Sequence, residues 1–143
     1  MQESRTAVRL AFVFALSLST ASSAGAANLT VRVEDVKSGQ GSLMIAVYDS
    51  ARSFLKRPAR SSRVAAASVT VDVVFHDLPA GEYGIALFHD ANDNNKMDSN
   101  VMGIPIEQYA FSNNAWGNME PPIFEQVKFT VPAAGATAII TLR

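Results

Sequence analysis

The sequence predicts an all-β chain: an antiparallel β-sandwich of six to seven strands. Three observations carry this. Apolar residues after position 28 recur with period two, the spacing of a strand with one wet face. Clusters of Gly, Pro, Asn and Asp punctuate these runs at short intervals. No heptad, long amphipathic helix or internal repeat competes with them.

The elements follow in order. Residues 1–27 read as a cleaved secretory signal peptide: basic Arg5 and Arg9, then the apolar run Leu10 to Leu18, then small residues ending in Ala26 and Ala27. Cleavage is expected near Ala26/Ala27. The apolar run is about half of the ~20 residues a spanning helix needs, so no transmembrane segment is expected. Leu29, Val31 and Val33 alternate with polar neighbours as a first strand. Ser38-Gly39-Gln40-Gly41 is a turn. Leu43, Ile45 and Val47 give a second strand, expected to pair with the first as a hairpin. Asp49-Ser50 suits the start of a short helical piece through Lys56, ended by Pro58, and residues 57–62 read as a basic loop.

Residues 68–76 alternate Val69, Val71, Val73 and Phe75 as a strand, with 64–67 as a short strand before it. Residues 77–81 are a turn. Glu82 to His89 is apolar on both faces, hence a central strand. Residues 90–122 hold no strand pattern. Residues 124–131 and 136–142 are two final strands. Residues 28–143 are thus expected to form a single domain.

Composition narrows the function classes. The chain has 143 residues, 48% hydrophobic and 17% charged, with no Cys. Disulfides, thiolate metal sites and Cys nucleophiles are therefore excluded. Without residues 1–27 the chain holds ten Lys+Arg and twelve Asp+Glu, a formal charge of −2, so there is no electrostatic footprint for nucleic acid. An exported domain without Cys must be held by packing, or by a bound ion.

One segment has chemistry in its spacing. From Asp90, oxygen-bearing side chains fall at positions 1, 3, 5 and 9 as Asp90, Asn92, Asn94 and Asp98, and Lys96 offers its carbonyl at position 7. This is the ligand spacing of a calcium loop, because a chain coiling round a hard cation presents alternate side chains to it. Asn95 stands at the sharp turn where such loops prefer Gly, and Met97 at the position of an apolar anchor. Position 12 is Val101, so the usual bidentate Glu is missing. The expected cofactor is a weak, structural calcium; the alternative is a plain Asn/Asp turn.

The stretch 103–122 is long for a compact domain and carries Tyr109, Phe111, Asn113, Asn114 and Trp116. These five form a candidate aromatic-and-amide surface for a glycan or protein partner of the envelope or extracellular space. The alternative is a covering loop whose aromatics make a satellite core. His76-Asp77 and His89-Asp90 are neighbours in sequence, and neighbours on a strand face opposite ways, so neither is a default catalytic dyad. No catalytic residue is expected from motifs, since the nucleophile-elbow, zincin and P-loop patterns are missing.

Leu78-Pro79-Ala80-Gly81-Glu82-Tyr83, Phe88-His89-Asp90 with Asn92, Asn94, Lys96 and Asp98, Met102-Gly103-Ile104-Pro105 and Phe111-Ser112-Asn113-Asn114-Ala115 together resemble the bacterial domain-of-unknown-function family number 2141. The likeness runs over nearly the whole of residues 28–143 and is most specific from Leu78 to Phe124. It implies an exported bacterial protein with no established activity. Members commonly have Gly where this chain has Asp93 and Asn95. The L-P-x-G-x-Y turn also resembles that of transthyretin-like and carboxypeptidase-regulatory-like sandwiches, a fold-level analogy. The expected type is therefore immunoglobulin-like or transthyretin-like. The leading functional expectation is an exported, non-catalytic binding or accessory module, periplasmic or extracellular, with calcium in loop 90–98. The alternatives are a metal-dependent hydrolase-like enzyme using that loop and His89, and a purely structural envelope protein.

Overall fold

The computed structural model describes residues 25–37 and 39–143. The signal-peptide reading falls almost wholly on residues outside these, and so does Ser38 of the first turn. Among the described residues eight strands form: β1 (Ala26–Glu34), β2 (Ser42–Tyr48), β3 (Arg60–Ala65), β4 (Val71–Pro79), β5 (Gly81–Asp90), β6 (Tyr109–Phe111), β7 (Phe129–Val131) and β8 (Ala136–Thr141). A short helix, α1 (Phe124–Val127), and a 3-10 turn at Ser112–Asn114 are the other elements among the described residues. Among the described residues no helix is long and apolar enough to cross a membrane.

The strands make two sheets, in the orders β4-β1-β8 and β3-β2-β5-β6, with β7 paired to the start of β5. Pairing is antiparallel except for β1 and β8, which run parallel from Leu29↔Ala136 to Glu34↔Thr141. The period-two pattern is converted directly into the core. Leu29, Val31 and Val33 of β1 and Leu43, Ile45 and Val47 of β2 point into the space between the sheets, joined by Ile85, Leu87, Val131 and Ile140, all buried.

The expected β1–β2 hairpin does not form. β1 pairs with β4 and β8, and β2 with β3 and β5, so the turn through Gly39 and Gly41 carries the chain from one sheet to the other. Alternation marks a strand's faces but not its neighbour, and a sandwich crossover and a hairpin use the same turn residues. Further expectations change, beginning with residues 90–122, which contain β6. The basic stretch 57–62 is a strand from Arg60, because β3 is an edge and an edge tolerates charge on its exposed side. The strand expected at 68–76 runs from Val71 to Pro79, through the first half of the expected turn. Residues 124–131 divide into α1 and β7, because Phe124 and Val127 are buried one helical turn apart while Val131 is buried from β7.

The corner between β4 and β5 explains the L-P-x-G-x-Y signature. Leu78 is buried, and the Tyr83 hydroxyl, on a ring only 5% exposed, donates to the Pro79 carbonyl at 2.6 Å. A tyrosine closing back on its own turn four residues upstream is the tyrosine corner of β-sandwiches.

A second, smaller core lies on the outer side of the β3-β2-β5-β6 sheet. Tyr48, Phe54, Phe111, Phe124 and Val127 pack there, with Phe54 edge-on to Tyr48 at 5.2 Å and to Phe124 at 6.0 Å. Phe54 comes from the helical turn after Asp49, where the Ser50 carbonyl accepts the Phe54 N–H. Gly84 allows this packing, since a Cβ there would stand 2.7 Å from Val127 Cγ2. Ser112, also buried, stitches the region together: its hydroxyl donates to the Val127 carbonyl and accepts the Ile85 N–H at 2.8 Å.

Candidate functional site

The acidic-amide loop leaves the end of β5 at Asp90, which has no exposed surface. Its carboxylate accepts the N–H groups of Asn94 (3.1 Å, Oδ1) and Asn95 (2.8 Å, Oδ2), coiling the loop around itself. Asp93 (φ 55°) and Asn95 (φ 64°) are left-handed, the conformation that Asp and Asn tolerate best among residues with a Cβ. Gly41 is required alongside, since a Cβ there would overlap the Asp90 carbonyl.

Asn92, Asn94 and Asp98 converge. Asn92 Nδ2 donates to Asp98 Oδ2 at 2.7 Å and Asn94 Nδ2 to Asp98 Oδ1 at 2.8 Å. Asn92 Oδ1 accepts the Asn94 N–H, and Asn94 Oδ1 the Lys96 N–H. The loop is therefore a set of nested Asx turns centred on two carboxylates. Among the described residues no three His, Cys, Asp or Glu side chains are grouped as a metal cluster.

A carboxylate from further along the chain braces the loop. Val101 is fully exposed at 105%, at the tip of a small hairpin made by the Ser99–Pro105 bridge and capped by Asn100. Beyond that hairpin, Glu107 returns to the loop. Its Oε1 accepts the Ala91 N–H at 3.0 Å and its Oε2 the Asp98 N–H at 2.9 Å, bracing both ends. Spacing alone missed this carboxylate because the 99–105 excursion moves it out of the contiguous ligand pattern.

Two contacts tie the loop to the sheet. Asp93 Oδ1 accepts from the Ser42 hydroxyl and from Arg63 Nη2, each at 2.7 Å, and Arg63 Nη1 donates to Asn95 Oδ1 at 2.7 Å. The Ser42 hydroxyl and then the Arg63 guanidinium hold the Asp93 carboxyl below the usual range. Lys96 is exposed, and Met97 is half-buried against the outer sheet face. His89 is 4% exposed, and its Nε2 lies 2.7 Å from the Gln40 carbonyl. That contact places Nε2–H as the donor. His76 stands apart, exposed, with Nδ1 3.3 Å from Asn28 Oδ1.

The five aromatic and amide residues divide. Tyr109 and Phe111 lie on β6, edge-on at 6.1 Å. Trp116 stacks on Tyr109 at 5.5 Å and lies under the Arg143 guanidinium. The two amides are exposed and bond to neighbouring backbone: Asn113 Nδ2 donates to the Gln126 and Lys128 carbonyls, and Asn114 Oδ1 accepts the Thr141 N–H. These amide bonds fasten the 112–114 turn to α1, β7 and β8.

The family model that describes an uncharacterized protein conserved in bacteria (DUF2141) matches residues 31–140. No curated protein and no solved structure matches the chain.

Proposed function

The chain belongs to this uncharacterized bacterial family, and on that premise we propose that it is an exported, non-catalytic binding or accessory module whose loop 90–98 holds a structural calcium ion. Export follows from the basic, apolar and small-residue order of positions 1–27 and sets the module in the periplasm or outside the cell. The observation that carries the calcium reading is the meeting of Asn92 and Asn94 at the two oxygens of Asp98, with the buried Asp90 carboxylate coiling the same loop.

A half-turn of each carboxamide would exchange its NH2 for Oδ1 and offer oxygen to a cation lying between them and Asp98. Asp90 and Asp98 supply charge, and the Lys96 carbonyl a neutral oxygen. The rotation gives up the Asx bonds to Asn94 and Lys96, each worth about 1 kcal/mol. Affinity therefore belongs to the weak, extracellular class, with Kd on the order of 10⁻⁴–10⁻³ M. The non-catalytic reading is supported by His89, whose Nε2 is engaged by a backbone carbonyl.

Calorimetric titration of the mature, exported chain with calcium tests this. Saturable heat at millimolar calcium, a raised melting temperature, and loss of both in Asp98→Asn are expected. Absence of heat and of any thermal shift in the unsubstituted chain would overturn it.

A further inference from the structure

In an antiparallel sandwich one face of each sheet is apolar and the other is wet. The β3-β2-β5-β6 sheet departs from this. Its outer face carries Met44, Ala46 and Tyr48 on β2, Ala86 and Phe88 on β5, and Tyr109 and Phe111 on β6. The protein covers one half of that face itself, where Phe54 and Phe124 close over Tyr48, Gly84 and Phe111. The other half is a trough of about 450 Å³. Its floor is the directly opposed pair Ala46 and Ala86, and the neighbouring rank is the opposed pair Met44 and Phe88. Leu55, Met97 and Tyr109 complete its rim.

The trough's size and charge say what it takes. Its volume falls in the range of small-molecule sites. Its fourteen lining residues fall short of the roughly 20–30 a side that a stable protein interface uses. Arg63 is the one charged residue among them, opposite Met44 at the β3 edge. Three of its five N–H groups are taken by Ser42, Asn95 and Asp93, leaving two. The segment that supplies this wall carries Arg52, Lys56, Arg57, Arg60 and Arg63, with no Asp or Glu between Asp49 and Asp72. Of these cations Arg63 lines the trough, paired with Asp93 but with two N–H groups left to offer a ligand.

We infer that this trough binds a single-chain amphiphile with an anionic head: the acyl chain lies over Ala46 and Ala86, and the carboxylate meets Arg63 at the β3 edge. This rests on the binding-module reading and is independent of the ion. The loop contributes here through Met97 on the rim and through its anchorage of Arg63.

Dodecanoate is a suitable probe, and Trp116, the one tryptophan of the chain, is a suitable reporter because it stacks on Tyr109. Saturable binding below the micellar concentration is expected from Trp fluorescence and calorimetry. Ala86→Trp, which fills the floor from a half-buried outer position, should abolish it while circular dichroism stays native. Arg63→Gln should weaken dodecanoate about tenfold and leave dodecanol unchanged, since only the carboxylate uses the guanidinium. No saturable binding would overturn the proposal, as would binding that survives Ala86→Trp, or equal affinity for dodecanoate and dodecanol. Dimerisation in the ultracentrifuge that Ala86→Trp abolishes would assign the face to a second copy and also overturn it. Loss of calcium binding alone leaves these results standing, so the two readings fail separately.

Discussion

Arg63 on the edge strand β3 and Asp93 in the acidic-amide loop meet at 2.7 Å, and Asp93 takes the Ser42 hydroxyl on the same oxygen. The contact has a pH signature. The Asp93 carboxyl titrates below its ordinary value of 3.8, held down first by the Ser42 hydrogen bond and then by Arg63. A carboxyl lowered in the folded state adds stability above its unfolded pKa, and that stability is lost as pH falls through the folded value. Asp93→Asn keeps the left-handed turn, since Asn tolerates that φ, but removes the charge. The variant should be less stable than the native chain at pH 7, with the gap closing below about pH 4. Urea midpoints at pH 7 and at pH 2–3 measure it. A gap of equal size at both would exclude Asp93 as the source.

Glu107 accepts two backbone N–H groups from opposite ends of the loop. Glu107→Gln leaves one acceptor and places an NH2 against the other N–H. The expected cost is about 1 kcal/mol, local to the loop. Amide hydrogen exchange at Ala91 and Asp98 should accelerate while exchange in β1 and β2 stays slow. Unchanged protection at both amides would show that the brace is not holding the loop.

How much of this was legible in sequence depended on whether the signal was local. Alternation marked the core-facing set Leu29, Val31, Val33, Leu43, Ile45 and Val47 because a strand's two faces differ at every step. The Asn/Asp spacing marked the loop, and the left-handed φ of Asn95 falls at the expected sharp turn. Partner choice was not legible: nothing in β1 states that it lies parallel to β8, more than a hundred residues away. Glu107 was hidden for the same reason, because a hairpin separates it from the residues it braces. The apolarity of 82–89 on both faces predicts a central strand. β5 is indeed flanked on both sides, by β2 and β6, but its outer residues Ala86 and Phe88 also serve the trough.

The Tyr83–Pro79 corner should carry measurable stability. Tyr83→Phe keeps the buried ring and removes the hydroxyl, leaving the Pro79 carbonyl without that donor. A loss of about 0.5–1.5 kcal/mol is expected, without change in the denaturant slope. An unchanged midpoint would show that water replaces the hydroxyl at no cost.

Trp116 separates packing from recognition. Its ring is 51% exposed, stacked on Tyr109 at 5.5 Å and lying 5.2 Å from the Arg143 guanidinium. The stack contributes about 0.5–1.5 kcal/mol, and the half-exposed cation adds less than about 1 kcal/mol. Trp116→Ala should therefore lower stability by about 1–2 kcal/mol. Trp116 does not line the trough, whereas Tyr109 and Phe111 do. Dodecanoate affinity, followed by calorimetry because the fluorescent reporter is gone, should change less than about threefold once the folded fraction is matched. A large loss of affinity with unchanged stability would place Trp116 in the ligand site and make the stack on Tyr109 part of recognition.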